Sequence, residues 1–368
     1  MGGGGARAAY QVGFLRSLAR QYPNLEIPYI TGVSAGAINA AHLAAHQGTF
    51  EEAVEDLSGL WSHLRLDDVF RTDLPSLLWN ALRWVVKLGT GGVGGGSGIR
   101  SLADTAPLRR FLTGALSAVD GEITGIDQNL KRGRLRAVAL STSSYTTGQS
   151  ITWVEGTKIE EWERPHRRSR NRTLTVEHVM ASAALPLFFP AIQLEGGWYG
   201  DGGIRLAAPL SPILHLGAQK VLAISTKYAS NQEEADRPLI RGYPPPAQVA
   251  GVLLNSIFLD NLDQDVLRLE RLNRLLSRLP PNERDGLRPV KLLVLRPSRD
   301  LGQLAQTFER NLPRGFRFLT RGLGTRETES PDFLSLIMFQ PDYLGKLMEI
   351  GEEDADRQQE ALAEFMAG

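Results

Sequence analysis

The sequence predicts an α/β fold, a three-layer α/β/α sandwich around a mostly parallel central sheet. Residues 135–140, 221–225 and 291–295 are short apolar runs, the pattern of strands buried on both faces. Segments of helical periodicity separate these runs. Near the N-terminus, the apolar run 27–30 turns at Thr31-Gly32-Val33-Ser34 directly into an alanine-rich helix over 35–46.

The elements follow in order. The chain opens on Met1-Gly2-Gly3-Gly4-Gly5-Ala6-Arg7. A glycine-rich anion-binding loop ordinarily follows a strand. None precedes this one, so the sheet is expected to be short of its first strand. Residues 8–21 read as a helix with Tyr10, Phe14, Leu15 and Leu18 on its apolar side and Arg16 and Arg20 on its wet side. Residues 151–154 add another strand, and the mostly glycine stretch 89–98 reads as a flexible loop. Pro244-Pro245-Pro246 breaks the chain ahead of a long helix over 249–279, and 352–365 reads as a charged amphipathic helix. Residues 1–225 are expected to form the catalytic core. Residues 226–368 are expected to add helices and one more strand to the same domain.

Composition narrows the function. A hydrophobic share of 42% over 368 residues supplies a sizeable core. The 41 basic residues balance the 41 acidic ones, so no global field favours nucleic acid. The absence of cysteine removes disulfides, thiolate metal sites and cysteine nucleophiles. No signal peptide is visible, and no stretch approaches the roughly 20 apolar residues that span a bilayer. The expectation is a cytoplasmic protein able to touch a membrane peripherally.

Three segments carry chemistry. Gly32-Val33-Ser34-Ala35-Gly36 is a G-x-S-x-G on a strand-to-helix turn, the pattern of a nucleophile elbow with Ser34 exposed at its tip. A tight turn with a buried serine would share that pattern. Gly2 to Arg7 can aim several backbone N–H groups at one point, as an oxyanion requires. The same glycines, Gly3-x-Gly5-x-x-Ala8, fit a dinucleotide fingerprint, but its acidic partner would be Glu26, which precedes the second strand instead of ending it. Tyr199-Gly200-Asp201-Gly202-Gly203 sets a carboxylate between glycines. None of the six histidines lies in a comparable motif, so Asp201 is the candidate base for Ser34, given burial that raises its pKa.

Taken together and in this order, the three segments resemble the patatin-like phospholipases. The resemblance continues through Ala6-Arg7-Ala8-Ala9-Tyr10-Gln11-Val12-Gly13, Ala181-Ser182-Ala183-Ala184-Leu185-Pro186, Phe189-Pro190, Pro209-Leu210 and Leu216-Gly217-Ala218, and thins after about Ser225. It implies a Ser34–Asp201 dyad forming an acyl-enzyme on a lipid ester. It also implies an oxyanion hole at Gly3, Gly4, Gly5 and Ala6 with Arg7 fixing the loop, and elbow glycines Gly32 and Gly36. Such a dyad needs no metal and no cofactor. The commonest family pattern has glycine at the position of Ala8.

Other readings stay open at this stage. A Ser34–Asp201–His215 triad has the chain order of α/β-hydrolases. A lipid-binding or regulatory protein on the same fold would have lost catalysis. The apolar segment 77–88, with Trp79 and Trp84, is either a core helix or an interfacial one. Residues 164–172, with five arginines and His166, read as a solvated loop, with an anionic head-group contact as the alternative.

Overall fold

The computed structural model of the chain describes residues 1–71, 101–228, 234, 236, 242–258, 261–313, 315–317 and 332–367. A short 3₁₀ turn (Gly5–Ala8) leads into α1 (Ala9–Gln21), β1 (Tyr29–Val33), α2 (Ala35–Ala45), α3 (Phe50–His63), α4 (Leu66–Val69), α5 (Ala106–Ala115) and α6 (Thr124–Lys131). Then come β2 (Ala137–Ser144), β3 (Ser150–Gly156), β4 (Glu163–Arg164), β5 (Arg167–Asn171), α7 (Val176–Ser182), β6 (Ile192–Leu194) and β7 (Gly197–Asp201). The C-terminal part holds α8 (Ser211–His215), β8 (Lys220–Ile224), α9 (Pro246–Phe258), α10 (Asn261–Leu276) and β9 (Lys291–Leu295). It ends with α11 (Leu301–Phe308), α12 (Asp332–Ile337), α13 (Pro341–Arg357) and α14 (Gln359–Ala367).

The seven-stranded sheet runs β4-β5-β3-β2-β7-β6, with β1 also on β2. One edge of β2 is shared: β1 pairs parallel with Ala137–Ser141, and β7 pairs antiparallel with Thr142–Ser144. That junction delivers the ends of β1 and β7, and with them Ser34 and Asp201, to one place. Side chains of β2 alternate between two buried cores. Val138 and Leu140 join a large core with residues of α1, α2, α3 and α13. Ala137 and Ala139 join a smaller one with Ile213, Val266 and Leu269 of α8 and α10. Burial on both faces is what makes the sandwich three layers.

Strands β8 and β9 form a separate parallel pair. Between β1 and β8 lies a cavity of about 590 Å³. Met1 and Gly2 reach across it. The Met1 amine donates to Thr31 O at 2.9 Å, Val33 N–H donates to Met1 O at 3.3 Å, and Gly2 N–H donates to Ile224 O at 3.4 Å. A slot therefore lies between β1 and β8, lined by both strands.

Several expectations need revision. Residues 164–172 are not a loop: β5 pairs parallel with β3 and antiparallel with β4. Ser169 is buried while Arg167, Arg168 and Arg170 are only partly covered, an arrangement suited to the rim of a sheet. Strand β2 continues four residues beyond Leu140 because Ser141, Thr142, Ser143 and Ser144 are buried despite being polar. The segment expected as one helix over 249–279 contains α9 and α10. The charged terminal helix is the end of α13 plus α14. Helix α13 begins at Pro341 and crosses α1 so closely that a Cβ on Gly13 would lie 1.9 Å from Met348 O. Trp79, Trp84 and the glycine stretch 89–98 lie outside the described residues. Among the described residues, no helix is long and apolar enough to cross a membrane.

Candidate active site

Ser34 sits between β1 and α2 with φ 57° and ψ −135°, a backbone state that L-residues rarely adopt and that costs about 1–3 kcal/mol. Close packing holds it there. A Cβ on Gly32 would lie 2.5 Å from Gly36 O, and one on Gly36 would lie 2.3 Å from Gly2 O. The Ser34 N–H donates to Ser182 Oγ at 3.1 Å, and that hydroxyl donates to Ser141 O at 2.7 Å. Helix α2 starts at the next residue, so its N-terminal dipole faces the serine.

Asp201 ends β7 and is fully buried. Its Oδ1 accepts the Gly203 N–H at 2.9 Å. Burial raises its pKa to about 7, outweighing the opposing effects of the Ser34 hydroxyl and the Gly203 N–H. The Ser34 hydroxyl is thus within reach of the carboxyl, yet Oδ2 makes no well-aligned hydrogen bond among the described residues. A buried carboxylate oxygen left open beside a strained serine is a poor structural device and a serviceable proton acceptor.

The glycine loop closes the third side. A Cβ on Gly3 would lie 3.0 Å from Ser34 Cβ and 3.6 Å from its Oγ. Gly4 and Gly5 take positive φ values of 143° and 54°, and both line the same pocket as Ser34. Among the described residues, the N–H groups of Gly3 and Gly4 donate no hydrogen bond. Thr226 Oγ1 donates to Gly3 O at 2.6 Å, and Arg7 N–H donates to Gly4 O at 3.0 Å. Ala6 is buried behind the loop. The Arg7 guanidinium is also buried and donates to Ser335 and Asp332.

An apolar channel leads away from Ser34 between Ile38, Leu57, Trp61, Phe111, Phe189 and Phe339. His42 lines it too, but its Nε2 lies 3.2 Å from Ala53 O and burial lowers its pKa, so it stays neutral. The structure does not bring His215 to Ser34 and Asp201. Its ring stacks on Trp162 at 4.7 Å, and its Nδ1 lies 2.7 Å from Ser211 O. Glu26 is exposed ahead of β1, so the glycine loop faces a serine and not the acidic contact a dinucleotide site requires.

Sequence reasoning missed Ser182, Thr226, Asp332 and Ser335. Ser182 stood inside a family-like segment, but nothing in the residues themselves signalled a brace under the elbow. The other three lie beyond Ser225, where no motif points to the site.

No curated protein matches the chain. One similar solved structure is that of VipD from Legionella pneumophila, at 12% identity and a TM-score of 0.37. That alignment covers 98% of this chain and 66% of VipD. The model of the patatin-like phospholipase family matches residues 1–214, more than half of the chain. With the elbow, the buried aspartate and the glycine loop assembled at one point, the chain belongs to the patatin-like phospholipase family.

Proposed function

We propose that the protein is a serine acyl hydrolase that cleaves carboxylic esters of phospholipids or lysophospholipids through Ser34 and Asp201. The observation that carries this reading is a buried carboxyl, with its pKa raised to about 7, beside an elbow serine against which packs a glycine loop whose Gly3 and Gly4 N–H groups donate no hydrogen bond among the described residues. A base with a pKa near neutrality is matched to proton transfer at physiological pH.

In this mechanism, ionised Asp201 takes the Ser34 proton as Oγ attacks the ester carbonyl carbon. The negative charge on the carbonyl oxygen falls to the N–H groups of the glycine loop, each worth about 10²–10³ in rate by analogy with other acyl-transfer sites. Collapse breaks the ester C–O bond, and the leaving alkoxide takes the proton back from Asp201. The acyl group now sits on Ser34. Water then attacks it, again losing a proton to Asp201, and the fatty acid leaves as Ser34 is reprotonated. The apolar channel supports a lipid substrate, since each buried methylene contributes about 0.8 kcal/mol. Peripheral contact with a lipid surface is part of the proposal, because that is where such substrates reside.

The test is hydrolysis of a short chromogenic ester and of a lysophospholipid by the parent, Ser34→Ala and Asp201→Ala. Activity in the parent alone supports the dyad. A folded parent without activity would favour a lipid-binding protein that uses the same channel without chemistry.

A further inference from the structure

The segment that follows residue 331 lies outside the stretch matched to the family, yet it is wedged against the glycine loop. Arg7 carries the only charge on that loop and is buried. Its Nε donates to Ser335 Oγ at 2.7 Å, and its Nη2 donates to Asp332 Oδ1. Ser335 in turn donates to Asp332 O at 2.6 Å, and Asn255 Nδ2 donates to Asp332 Oδ2. One residue further on, backbone meets backbone: a Cβ on Gly5 would lie 2.0 Å from Leu336 O. Buried guanidinium groups need a fixed counter-charge, and a planar fork held at two of its nitrogens cannot swing. Arg7 is therefore a handle by which α12 grips the glycine loop, whose Gly3 packs against Ser34 and whose Gly4 and Gly5 line the same channel as Ser34.

We infer that Asp332 and Ser335 are positioning residues: they hold the oxyanion loop in its catalytic geometry through Arg7, although they touch neither substrate nor Ser34. The inference rests on the reading of Ser34 as nucleophile. Preorganised donors stabilise the transition state only when they are aimed beforehand, and displacements of about 1 Å cost about 100-fold in rate. Loosening the grip should therefore lower turnover without weakening substrate binding, because the acyl channel is built mostly from other elements.

The experiment compares the parent with Asp332→Asn, Asp332→Ala and Ser335→Ala. Functional sites are first counted by stoichiometric labelling of Ser34 with a fluorophosphonate. The expected result is a fall of about 10–100-fold in kcat per labelled site, largest for Asp332→Ala, with KM within about twofold of the parent. The phosphonylation rate should fall in parallel, because the phosphonyl oxygen uses the same donors. Amide hydrogen exchange of peptides spanning residues 2–8 should accelerate in the variants. An unchanged kcat per labelled site, with only the melting temperature lowered, would overturn the inference and leave Asp332 a purely structural partner. Should Asp332→Ala fail to fold, Asp332→Asn and Ser335→Ala carry the same test. A parent that neither hydrolyses esters nor labels at Ser34 would instead sink the proposed function. Exchange over residues 2–8 would still decide whether α12 holds the loop, and unchanged exchange there would count against it.

Discussion

Replacing Asp201 by asparagine keeps the shape of a buried side chain while removing its charge, and the effect on stability should depend on pH in a defined way. The Asp201 carboxyl titrates at about 7 in the folded protein, because burial penalises the ionised form. In the unfolded chain it titrates near 3.9. The folded state therefore binds the proton more tightly, so the group favours folding at low pH and that advantage is lost as pH rises from about 4 through 7. Three pH units correspond to about 4 kcal/mol of cost once both states are ionised. The neutral amide of the Asp201→Asn variant carries no such cost at any pH, so the variant's stability minus that of the parent should grow with pH. Between pH 5 and 8 the difference should widen by about 2–3 kcal/mol. Glu155, raised to about 7 by burial, and His178, lowered to about 4, titrate in both proteins and cancel in the difference. The assay is urea denaturation of both proteins at pH 5, 6, 7 and 8. A difference that stays constant over this range would mean that Asp201 has an ordinary carboxylate pKa and could not serve as the base described.

Three other outcomes follow from the geometry. Ester hydrolysis measured as kcat/KM should rise with pH on a single ionisation and level off above about 7, because the ionised Asp201 is the active form. Ser34→Gly should abolish hydrolysis yet raise the denaturation midpoint, by about 1 kcal/mol in stability, because glycine tolerates a φ of 57° with a ψ of −135°. Adding four or five β-branched residues ahead of Met1 should fill the slot between β1 and β8 with a strand parallel to both. The melting temperature should then rise by about 4 °C for a net gain of about 2 kcal/mol, whereas an equal length of Gly-Ser repeat should leave it unchanged.

Much of the site was legible in the sequence because its parts are backbone devices. Gly5, Gly32 and Gly36 are demanded by close backbone contacts and Gly4 by its positive φ, so they stand out in the chain. The runs of β8 and β9 were legible as strands because they are apolar, although among the described residues they form a separate pair with β9 mostly half-buried, not central strands buried on both faces. Strand β5 was not, since its arginines lie toward solvent at a sheet rim and only Ser169 turns inward. The polar end of β2 was hidden for the opposite reason, since Ser141 to Ser144 are buried by neighbours far away in sequence. The same holds for Asp332 and Ser335. Their importance comes from meeting Arg7 more than 320 residues away, and no local pattern records such a contact.

The most direct test of the central claim is to treat the folded protein with an alkyl fluorophosphonate and locate the adduct by peptide mass spectrometry. One adduct per chain is expected, on the peptide containing Ser34, formed more slowly at pH 5 than at pH 8 and greatly slowed in Asp201→Asn. Absence of an adduct from folded protein, or its appearance on a different serine, would contradict it.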